Sequence, residues 1–229
     1  MKKYSTIDEN ALLRQLNKIL RPYSQTGFLY RLGKKPNILD VGCGKRACIA
    51  KKIRPNSIYT CIDIIDYKNK PPCMDFYIFA SPENFKNMIE ELNQEYDAVI
   101  SAHNLEHCND RYGTLEAMLK VIKVGGKLYL SFPSKKSVDF PKRIGTLNYY
   151  DDPTHKDMPP DFFKIKKIIE NYNFDILFSA DSFKPPFLRL LGFILEPYSR
   201  LRKKVTLGTW AYYGFESIII AKKRDSKDN

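Results

Sequence analysis

The sequence predicts an α/β fold in which a mostly parallel β-sheet is covered by helices on both faces. The main observation is that short apolar segments with strand character alternate with helical segments along the chain, an order typical of βαβ units. A second observation is the closing segment 216–222, whose β-branched run Ile218-Ile219-Ile220 favours a strand. Strands joined through a helix run in the same direction, so most of the sheet is predicted to be parallel.

Apolar periodicity and chain-breaking residues set the predicted elements. Residues 7–20 form a predicted helix because their leucines and isoleucines share one face, and Pro22 ends it. Predicted strands cover residues 37–41, 57–62, 76–80, 97–101, 127–132, 174–179 and 216–222. Predicted helices cover residues 46–53, 83–92, 114–122 and 161–172, and a turn at 124–126 precedes the fifth strand.

The chain is predicted to be a single domain over residues 1–229, with an N-terminal helical extension at 1–36 and an insertion at 184–209. The insertion lies between the last two strands. It combines Pro185-Pro186, an apolar run at 187–195 and a basic cluster at 200–204. We expect it to form a wall of the substrate pocket, in preference to a peripheral contact with an anionic membrane surface.

Composition indicates a folded protein. Of the 229 residues 43% are hydrophobic and 28% are charged, which excludes a disordered chain, and no apolar run approaches the ~20 residues of a membrane-spanning helix. The polar residues after Met1-Lys2-Lys3 do not fit a signal peptide. The five cysteines are odd in number and include no C-x-x-C pair, so we expect a reduced, cytoplasmic chain without structural zinc.

A glycine turn follows the first predicted strand. Asp63 ends the next strand, 19 residues beyond Gly44, close to the offset at which an acid meets a ribose hydroxyl in nucleotide-binding βαβ folds. Gly42, Gly44 and Ala47 also satisfy the dinucleotide pattern, but Asp40 would repel a pyrophosphate at this turn. A cofactor that carries a sulfonium and an ammonium suits Asp40 better. The alternative is that Asp40 only anchors the loop, and both roles are compatible.

Four segments within residues 37–133 resemble, in the same order, the core motifs of class I S-adenosylmethionine-dependent methyltransferases. They are I-L-D-V-G-C-G at 38–44, Y-T-C-I-D-I at 59–64, Y-D-A-V-I-S-A-H-N-L-E-H at 96–107 and L-K-V-I-K-V-G-G-K-L-Y-L-S-F-P at 119–133. The segment beginning D-P-T-H-K-D-M-P-P at 152 resembles members that modify sugars and surface-polysaccharide precursors. The resemblance implies a three-layer Rossmann-like sandwich with a seven-stranded, mostly parallel sheet and an antiparallel last strand.

The resemblance also implies S-adenosylmethionine as the cofactor and a set of residues that bind it. These residues are Asp40, Gly42, Cys43, Gly44, Asp63, Ile64, Ala102 and His103. Cys43 is expected to contribute its backbone, because no motif places a histidine or a second cysteine beside it. The chain departs from the family pattern at Arg46, where many members have a third glycine, and at 80–83, where no adenine contact is assigned.

The three histidines lie near the edges of the predicted active site. His155, whose loop holds aspartates that could orient its ring, and His103, directly after the fourth strand, are candidates for a base or ligand on the acceptor side. Glu106 is a candidate for catalysis or for a structural hydrogen bond. His103 and His107 could share a face of a helical turn and bind metal, but the spacing supplies no third ligand. No metal site is therefore predicted, and His107 is expected to be a packing or surface residue.

The favoured function is O-methylation of a small anionic acceptor, such as a nucleotide-linked sugar or a phosphate-bearing capsule or lipopolysaccharide precursor. The alternatives are an RNA or DNA methyltransferase and a non-catalytic module that binds S-adenosylmethionine. Residues 101–104 contain no N-P-P-Y-like motif for base amino groups, which disfavours methylation of nucleic acid. The oligomeric state is not predicted.

The distribution of the net charge of +12 supports the same preference. Residues 1–54 carry 13 basic and 3 acidic side chains, residues 55–110 carry 3 and 10, and residues 184–204 carry 6 and 1. The excess therefore lies in the N-terminal region and the insertion, while the middle of the cofactor-binding part is acidic. Because the resemblance implies that such extensions shape the acceptor side, we expect an anionic small acceptor beside a cationic cofactor.

Overall fold

The computed structural model describes residues 22–44, 48–66 and 72–225, and the predicted helix at 7–20 lies outside them. Seven strands are present in this part of the chain. They are β1 (Asn37–Val41), β2 (Ile58–Asp63), β3 (Phe76–Phe79), β4 (Tyr96–Ala102), β5 (Ile122–Pro133), β6 (Phe174–Ala180) and β7 (Glu216–Lys223). All seven belong to one sheet, in the order β3-β2-β1-β4-β5-β7-β6.

The strand directions confirm the predicted sheet. The first five strands pair in parallel, whereas β7 is antiparallel to both β5 and β6. Since β7 runs in the opposite direction to β5, its first residue, Glu216, pairs with Pro133 at the end of β5. Glu216 therefore lies at the carboxyl edge of the parallel strands.

Helices cover both faces of the sheet. They are α1 (Gln25–Tyr30), α2 (Cys48–Ile53), α3 (Phe85–Glu90), α4 (Arg111–Lys120), α5 (Phe162–Asn171), α6 (Pro186–Leu201) and α7 (Thr209–Tyr213). Short 3₁₀ helices span Leu105–His107, Lys135–Asp139 and Tyr149–Asp151. Ser24, Asp110 and Asp161 begin α1, α4 and α5 as N-caps, since each side chain accepts a hydrogen bond from a backbone N–H of the first turn.

Two buried apolar clusters lie on opposite faces of the sheet. Ile89 of α3 and Leu115 of α4 belong to one cluster, and Phe28 of α1 belongs to the other. Successive residues of β4 point to opposite faces, so Val99 joins the first cluster and Ile100 the second. This arrangement of helices, sheet and helices is the three-layer sandwich that the sequence predicted.

The predicted turn at 124–126 is wrong, because these residues lie within β5. Tyr96 pairs with Ile122 and Ala98 pairs with Lys127, so β5 uses five residues where β4 uses two. The three extra residues form a bulge between the two pairs. Gly125 lies in this bulge with φ of 75°, a conformation that glycine adopts without steric cost.

The expectation of fully reduced cysteines is also wrong. Cys48 and Cys73 form a disulfide, with their Cα atoms 5.4 Å apart. The two residues are 25 positions apart in sequence, and only the folding of α2 against the segment before β3 brings them together. Cys43, Cys61 and Cys108 are free.

The insertion consists mainly of α6, which is held to the body by a buried ion pair. The Arg143 Nη1 and Nη2 atoms donate to Glu196 Oε2 and Oε1 at 2.8 and 2.5 Å, and Nη1 also donates to Ser199 Oγ at 2.6 Å. Tyr213 of α7 donates to Glu196 Oε1 at 2.7 Å. The hydrogen bonds to Glu196 and Ser199 therefore offset the free-energy cost of burying the charge of Arg143.

The opposite face of α6 is apolar and exposed. Its exposed apolar side chains are Phe187, Leu190, Phe193, Ile194, Tyr198 and Leu201. In the part of the chain that the structure describes, no helix is both long and apolar enough to cross a membrane.

Replacement of Gly192 in α6 is expected to destabilise the fold. A Cβ at this position would collide with the carbonyl oxygen of Gly208, so Gly192→Ala should lower the free energy of unfolding by about 1–3 kcal/mol, the range for overpacking. This direction is opposite to helix propensity, which favours alanine by ~1 kcal/mol. Urea denaturation measures the difference.

Gly33→Ala is the matched control, because no atom lies within 4 Å of a Cβ built there. Its free energy of unfolding should stay within about 0.5 kcal/mol of the parent value. A Gly192→Ala protein as stable as the parent would contradict the close backbone contact.

Candidate active site

The carboxyl ends of β1, β2 and β4 meet at one edge of the sheet, where open α/β sheets bind their ligands. Two cavities open along this edge, one of about 730 Å³ and one of about 460 Å³. Six residues predicted to bind cofactor line the larger cavity: Asp40, Gly42, Cys43, Gly44, Ala102 and His103. The other two, Asp63 and Ile64, line the smaller cavity.

Asp40 is a buried acid at the wall of the larger cavity. Its carboxylate accepts a hydrogen bond from the Tyr59 hydroxyl, and only 4% of the residue is exposed. Burial raises the pKa of Asp40 to about 7, the Tyr59 hydrogen bond opposes this shift, and the negative charge of Asp63 adds to it. A cation in the cavity would favour the ionised carboxylate.

Asp63 connects the end of β2 to the glycine turn. Its Oδ2 accepts from Gly44 N at 2.6 Å and its Oδ1 accepts from Ile65 N at 3.1 Å. The adjacent Ile64 side chain is half exposed in the smaller cavity. The edge thus offers a fixed carboxylate beside an apolar surface, which suits a ribose diol next to a flat aromatic base.

Gly42 and Asn104 are packed against each other between β1 and β4. A Cβ at Gly42 would collide with the Asn104 side chain, and Gly42 has φ of 72°, so both space and conformation require glycine. Asn104 is buried, and its Nδ2 has no hydrogen-bond partner among the described residues. Because Asn104 also lines the smaller cavity, it provides an unused donor for a ligand there.

His103 lies between two carboxylates. Its Nδ1 is 3.0 Å from Glu106 Oε1 and its Nε2 is 3.2 Å from Glu216 Oε1. Burial alone lowers the pKa of His103, but the hydrogen bonds that its ring donates to both carboxylates outweigh this effect and raise it to about 10. The ring is therefore an imidazolium at neutral pH and has no lone pair with which to accept a proton.

The predicted shared face of His103 and His107 is wrong. His103 precedes the 3₁₀ turn and has φ of 53°, which directs its ring toward Glu216 and Trp210. The His107 ring instead lies beside Thr154, with Nδ1 2.9 Å from Thr154 Oγ1. The left-handed residue at 103 breaks the helical spacing on which the prediction depended.

His155 is oriented by a backbone carbonyl, and the predicted aspartate partner is wrong. Its Nδ1 donates to the carbonyl oxygen of Tyr149 at 2.6 Å, and its ring stacks on Tyr149 with centroids 4.4 Å apart. Asp152 Oδ1 instead accepts from the Thr154 hydroxyl. Burial lowers the pKa of His155, so this ring is neutral at pH 7. His155 does not line either of the two cavities.

His155 lies close to two residues of the 3₁₀ turn. One ligand atom each from Glu106, His107 and His155 lies within 4.8 Å of the others. No sequence pattern indicates this third residue, because His155 is 48 positions beyond His107 and reaches it only through the loop after β5. The structure thus places beside His107 a third candidate ligand that the sequence spacing did not show.

Cys43 has no nucleophilic character in this site. A hydrogen bond with Cys61 and burial both raise the pKa of the Cys43 thiol well above its usual range. The prediction that its backbone alone takes part in the glycine turn is consistent with this environment.

Several residues of the larger cavity escaped the sequence prediction. They are Ser24, Gln25, Thr26, Ser131, Trp210 and Glu216. Glu216 was missed because it begins the last strand, and only the antiparallel direction of β7 places it at this edge. Residues 184–209, expected to form a pocket wall, do not line either cavity, and Trp210, the next residue, does.

A family model and a curated relative both identify a methyltransferase domain. A family model described as a methyltransferase domain matches residues 8–178. The human mitochondrial ubiquinone biosynthesis O-methyltransferase is 28% identical over 117 residues, which are 48% of this chain and 31% of that protein. The match thus spans about a third of the human relative's length.

Solved structures show the same fold. A SAM dependent methyltransferase from Archaeoglobus fulgidus superposes with a TM-score of 0.53 at 19% identity, covering 93% of this chain and 94% of that chain. An S-adenosylmethionine dependent methyltransferase from Mesorhizobium loti superposes with a TM-score of 0.58 at 14% identity, covering 89% and 100%. At these identities the structural likeness establishes the fold alone.

Asp40→Asn is expected to remove the part of the pH-dependent loss of stability that comes from ionisation of Asp40. The pKa of Asp40 rises from 3.8 to about 7 on folding, so its contribution to stability is complete below about pH 4 and disappears as the pH rises toward about 7. Between about pH 5 and about pH 8 the parent protein should lose about 2–3 kcal/mol more than Asp40→Asn. Urea denaturation at both pH values measures this difference, and equal losses would contradict the buried, protonated state.

Proposed function

The chain belongs to the methyltransferase domain family, and we propose that it transfers a methyl group from S-adenosylmethionine to a hydroxyl oxygen of a small anionic acceptor. The acceptor class is a nucleotide-linked sugar or a phosphate-bearing polysaccharide precursor. The observation that carries the proposal is the joint placement of Asp40, Asp63, His103 and Glu216 along two adjoining cavities at the carboxyl edge.

The residues at this edge fit S-adenosylmethionine. Asp63 is positioned for the ribose hydroxyls, and the exposed side chain of Ile64 offers an apolar surface beside it. The unpartnered Nδ2 of Asn104 supplies a buried donor, and the absence of a side chain at Gly42 lets Asn104 pack against the glycine turn. Asp40 complements a ligand that carries positive charge, whereas a pyrophosphate would be repelled by it.

The protein's contribution to the reaction is alignment, charge complementarity and exclusion of water. When bound, S-adenosylmethionine supplies an activated methyl carbon on a sulfonium, so the chain does not have to generate an electrophile. Asp40 would hold the cationic end at the larger cavity, and Asp63 would hold the ribose at the smaller one. Positioning of the acceptor oxygen in line with the methyl group then provides the main rate enhancement.

Glu216 is the group best placed to receive the proton of the acceptor hydroxyl. It lines the larger cavity, and its Oε1 lies 3.2 Å from His103 Nε2, which fixes its orientation. Glu106, on the other side of the same ring, holds His103 in place at 3.0 Å. His103 and Glu106 are thus assigned to positioning, and His155, which lines neither cavity, has no role in this proton transfer.

Basic side chains around the start of α6 support an anionic acceptor. The pKa of Lys184 is lowered by burial and then by the positive charges of Arg189 and Lys136, so three cations share one neighbourhood. Lys184 is packed against Gly214, the residue before Phe215, whose ring lies 6.1 Å from that of His103. The name of the human relative, an O-methyltransferase, supports oxygen as the acceptor atom.

Asp63→Asn is expected to weaken binding of S-adenosylmethionine by at least about tenfold, because charge-assisted hydrogen bonds to the ribose hydroxyls are lost. Isothermal titration calorimetry measures the dissociation constant. The matched control is Asp66→Asn, which removes an exposed carboxylate three residues away and should leave the affinity unchanged.

Equal affinities of the two variants would contradict the assignment of Asp63. Absence of binding by the parent protein would contradict the cofactor site as a whole.

A turnover screen tests the acceptor. Release of S-adenosylhomocysteine should be faster with hydroxyl compounds that carry phosphate or carboxylate than with their neutral counterparts. On the best acceptor, Glu216→Gln should lower kcat by about 100-fold or more, since general bases contribute 10²–10⁴-fold, while affinity for the cofactor stays unchanged.

Three results of this screen would contradict parts of the proposal. A preference for neutral acceptors would contradict the anionic class, and turnover on RNA alone would replace it with a nucleic acid. An unchanged kcat in Glu216→Gln would exclude this carboxylate as the proton acceptor.

A further inference from the structure

The cluster of Glu106, His107 and His155 shares only Glu106 with the residues assigned to proton transfer above, and we propose that it binds one divalent transition-metal ion of the Zn²⁺ type. Its three ligand atoms come from two segments that are distant in sequence and lie within 4.8 Å of one another. The proposal does not depend on the identity of the methyl acceptor.

Hydrogen bonds orient both imidazole rings for metal binding. The Thr154 hydroxyl donates to Asp152 Oδ1 at 2.6 Å, so its oxygen accepts from His107 Nδ1 at 2.9 Å. His155 Nδ1 donates to the Tyr149 carbonyl oxygen at 2.6 Å. Each ring therefore carries its proton on Nδ1 and leaves the lone pair of Nε2 available, the arrangement that outer-shell partners impose on histidine ligands.

Glu106 supplies a carboxylate oxygen that has no other use. The residue is fully buried, and its Oε1 is bound to His103 while its Oε2 has no hydrogen-bond partner among the described residues. A buried, unpartnered carboxylate oxygen is costly unless a cation or a donor compensates it. A metal ion held between Glu106 Oε2 and the two Nε2 atoms provides this compensation.

The two segments that carry the ligands are already held together. Lys156 N donates to the Glu106 carbonyl oxygen at 2.8 Å, and Arg111 donates to the carbonyl oxygens of Lys156 and Met158 at 2.8 and 2.5 Å. The rings of His107 and His155 have centroids 4.8 Å apart. Metal binding therefore requires side-chain rotation without movement of the backbone.

The donor set identifies the class of ion. Two imidazole nitrogens and one carboxylate suit Zn²⁺ and related first-row ions, whereas Mg²⁺ and Ca²⁺ prefer oxygen ligands alone. Bonds of ~2.0–2.1 Å in a tetrahedral site separate the ligand atoms by about 3.4 Å. The ligand atoms now lie within 4.8 Å of one another, so they approach by at most about 1.4 Å on binding. Three protein ligands leave a further position for water or for an oxygen of a ligand.

Calorimetric titration of tag-free, chelator-treated protein with ZnCl₂ tests the proposal in the absence of cofactor and acceptor. The parent chain should bind one equivalent of Zn²⁺, and MgCl₂ should show no binding at the same concentration. His107→Ala and His155→Ala should each weaken the affinity for Zn²⁺ by about 100-fold, since each removes a direct ligand. Cobalt(II) should give the visible absorption of a tetrahedral site in the parent chain and not in the two histidine variants.

Two variants serve as matched controls. Asp157→Asn removes a carboxylate from the same loop, and Cys108→Ser removes the thiol next to His107, whose Sγ donates to the Asn104 carbonyl oxygen. Both should bind Zn²⁺ as the parent does. If either histidine variant fails to fold by circular dichroism, Glu106→Gln, which keeps the shape of the side chain, should show the same loss of affinity.

Several results would overturn the proposal. They are absence of Zn²⁺ binding by the parent chain, binding that survives in His107→Ala, His155→Ala and Glu106→Gln, loss of binding in Cys108→Ser, and tighter binding of Mg²⁺ than of Zn²⁺. Because the measurement involves neither the cofactor nor turnover, these outcomes leave the proposed reaction untouched.

Discussion

The site depends on one constraint, the direction of the strands. Parallel pairing of β1 with β2 and with β4 brings the ends of three strands to a common edge, although Asp40, Asp63 and His103 are far apart in sequence. The antiparallel β7 adds to this edge from the opposite direction, because its first residue pairs with the last residue of β5. Reversal of that single strand would move Glu216 to the other end of the sheet and leave His103 with one carboxylate.

Because the strand ends meet at one edge, several acidic side chains are buried close together. Different partners reduce the cost of burying their carboxyl groups. Glu106 and Glu216 share the imidazolium of His103, which is why this partly buried ring retains its proton. Asp63 accepts backbone N–H groups. Within the described part of the chain the Asp40 carboxyl has only the Tyr59 hydroxyl as a hydrogen-bond partner, and its pKa is therefore raised to about 7 without a ligand. The least compensated acid is thus the one that faces the cavity in which a cation is expected.

Sequence predicted those features that depend on local pattern. The apolar run of β1 fixed its bounds, and the glycine turn with Asp63 located the cofactor edge, because backbone conformation and strand length are encoded within a few residues. Features that depend on contacts between segments far apart in sequence were not predicted. The Cys48–Cys73 bond, the partnership of His103 with Glu216 and the approach of His155 to His107 each join segments whose distance is set only by the completed sheet. The start of β5 was missed for a different reason, since a bulge allows glycines inside a strand.

The contact between Gly192 and Gly208 has a consequence for how α6 can be altered. The backbone of the helix meets another backbone there, and Arg143 fixes the same inner face, so the position of α6 does not depend on its outward side chains. Phe187, Leu190 and Ile194 can therefore be exchanged, in the course of evolution or in the laboratory, without disturbing the cavities. The outer face of α6 is thus a suitable place for spectroscopic labels and for solubilising substitutions, because changes there leave the residues that line the two cavities in position.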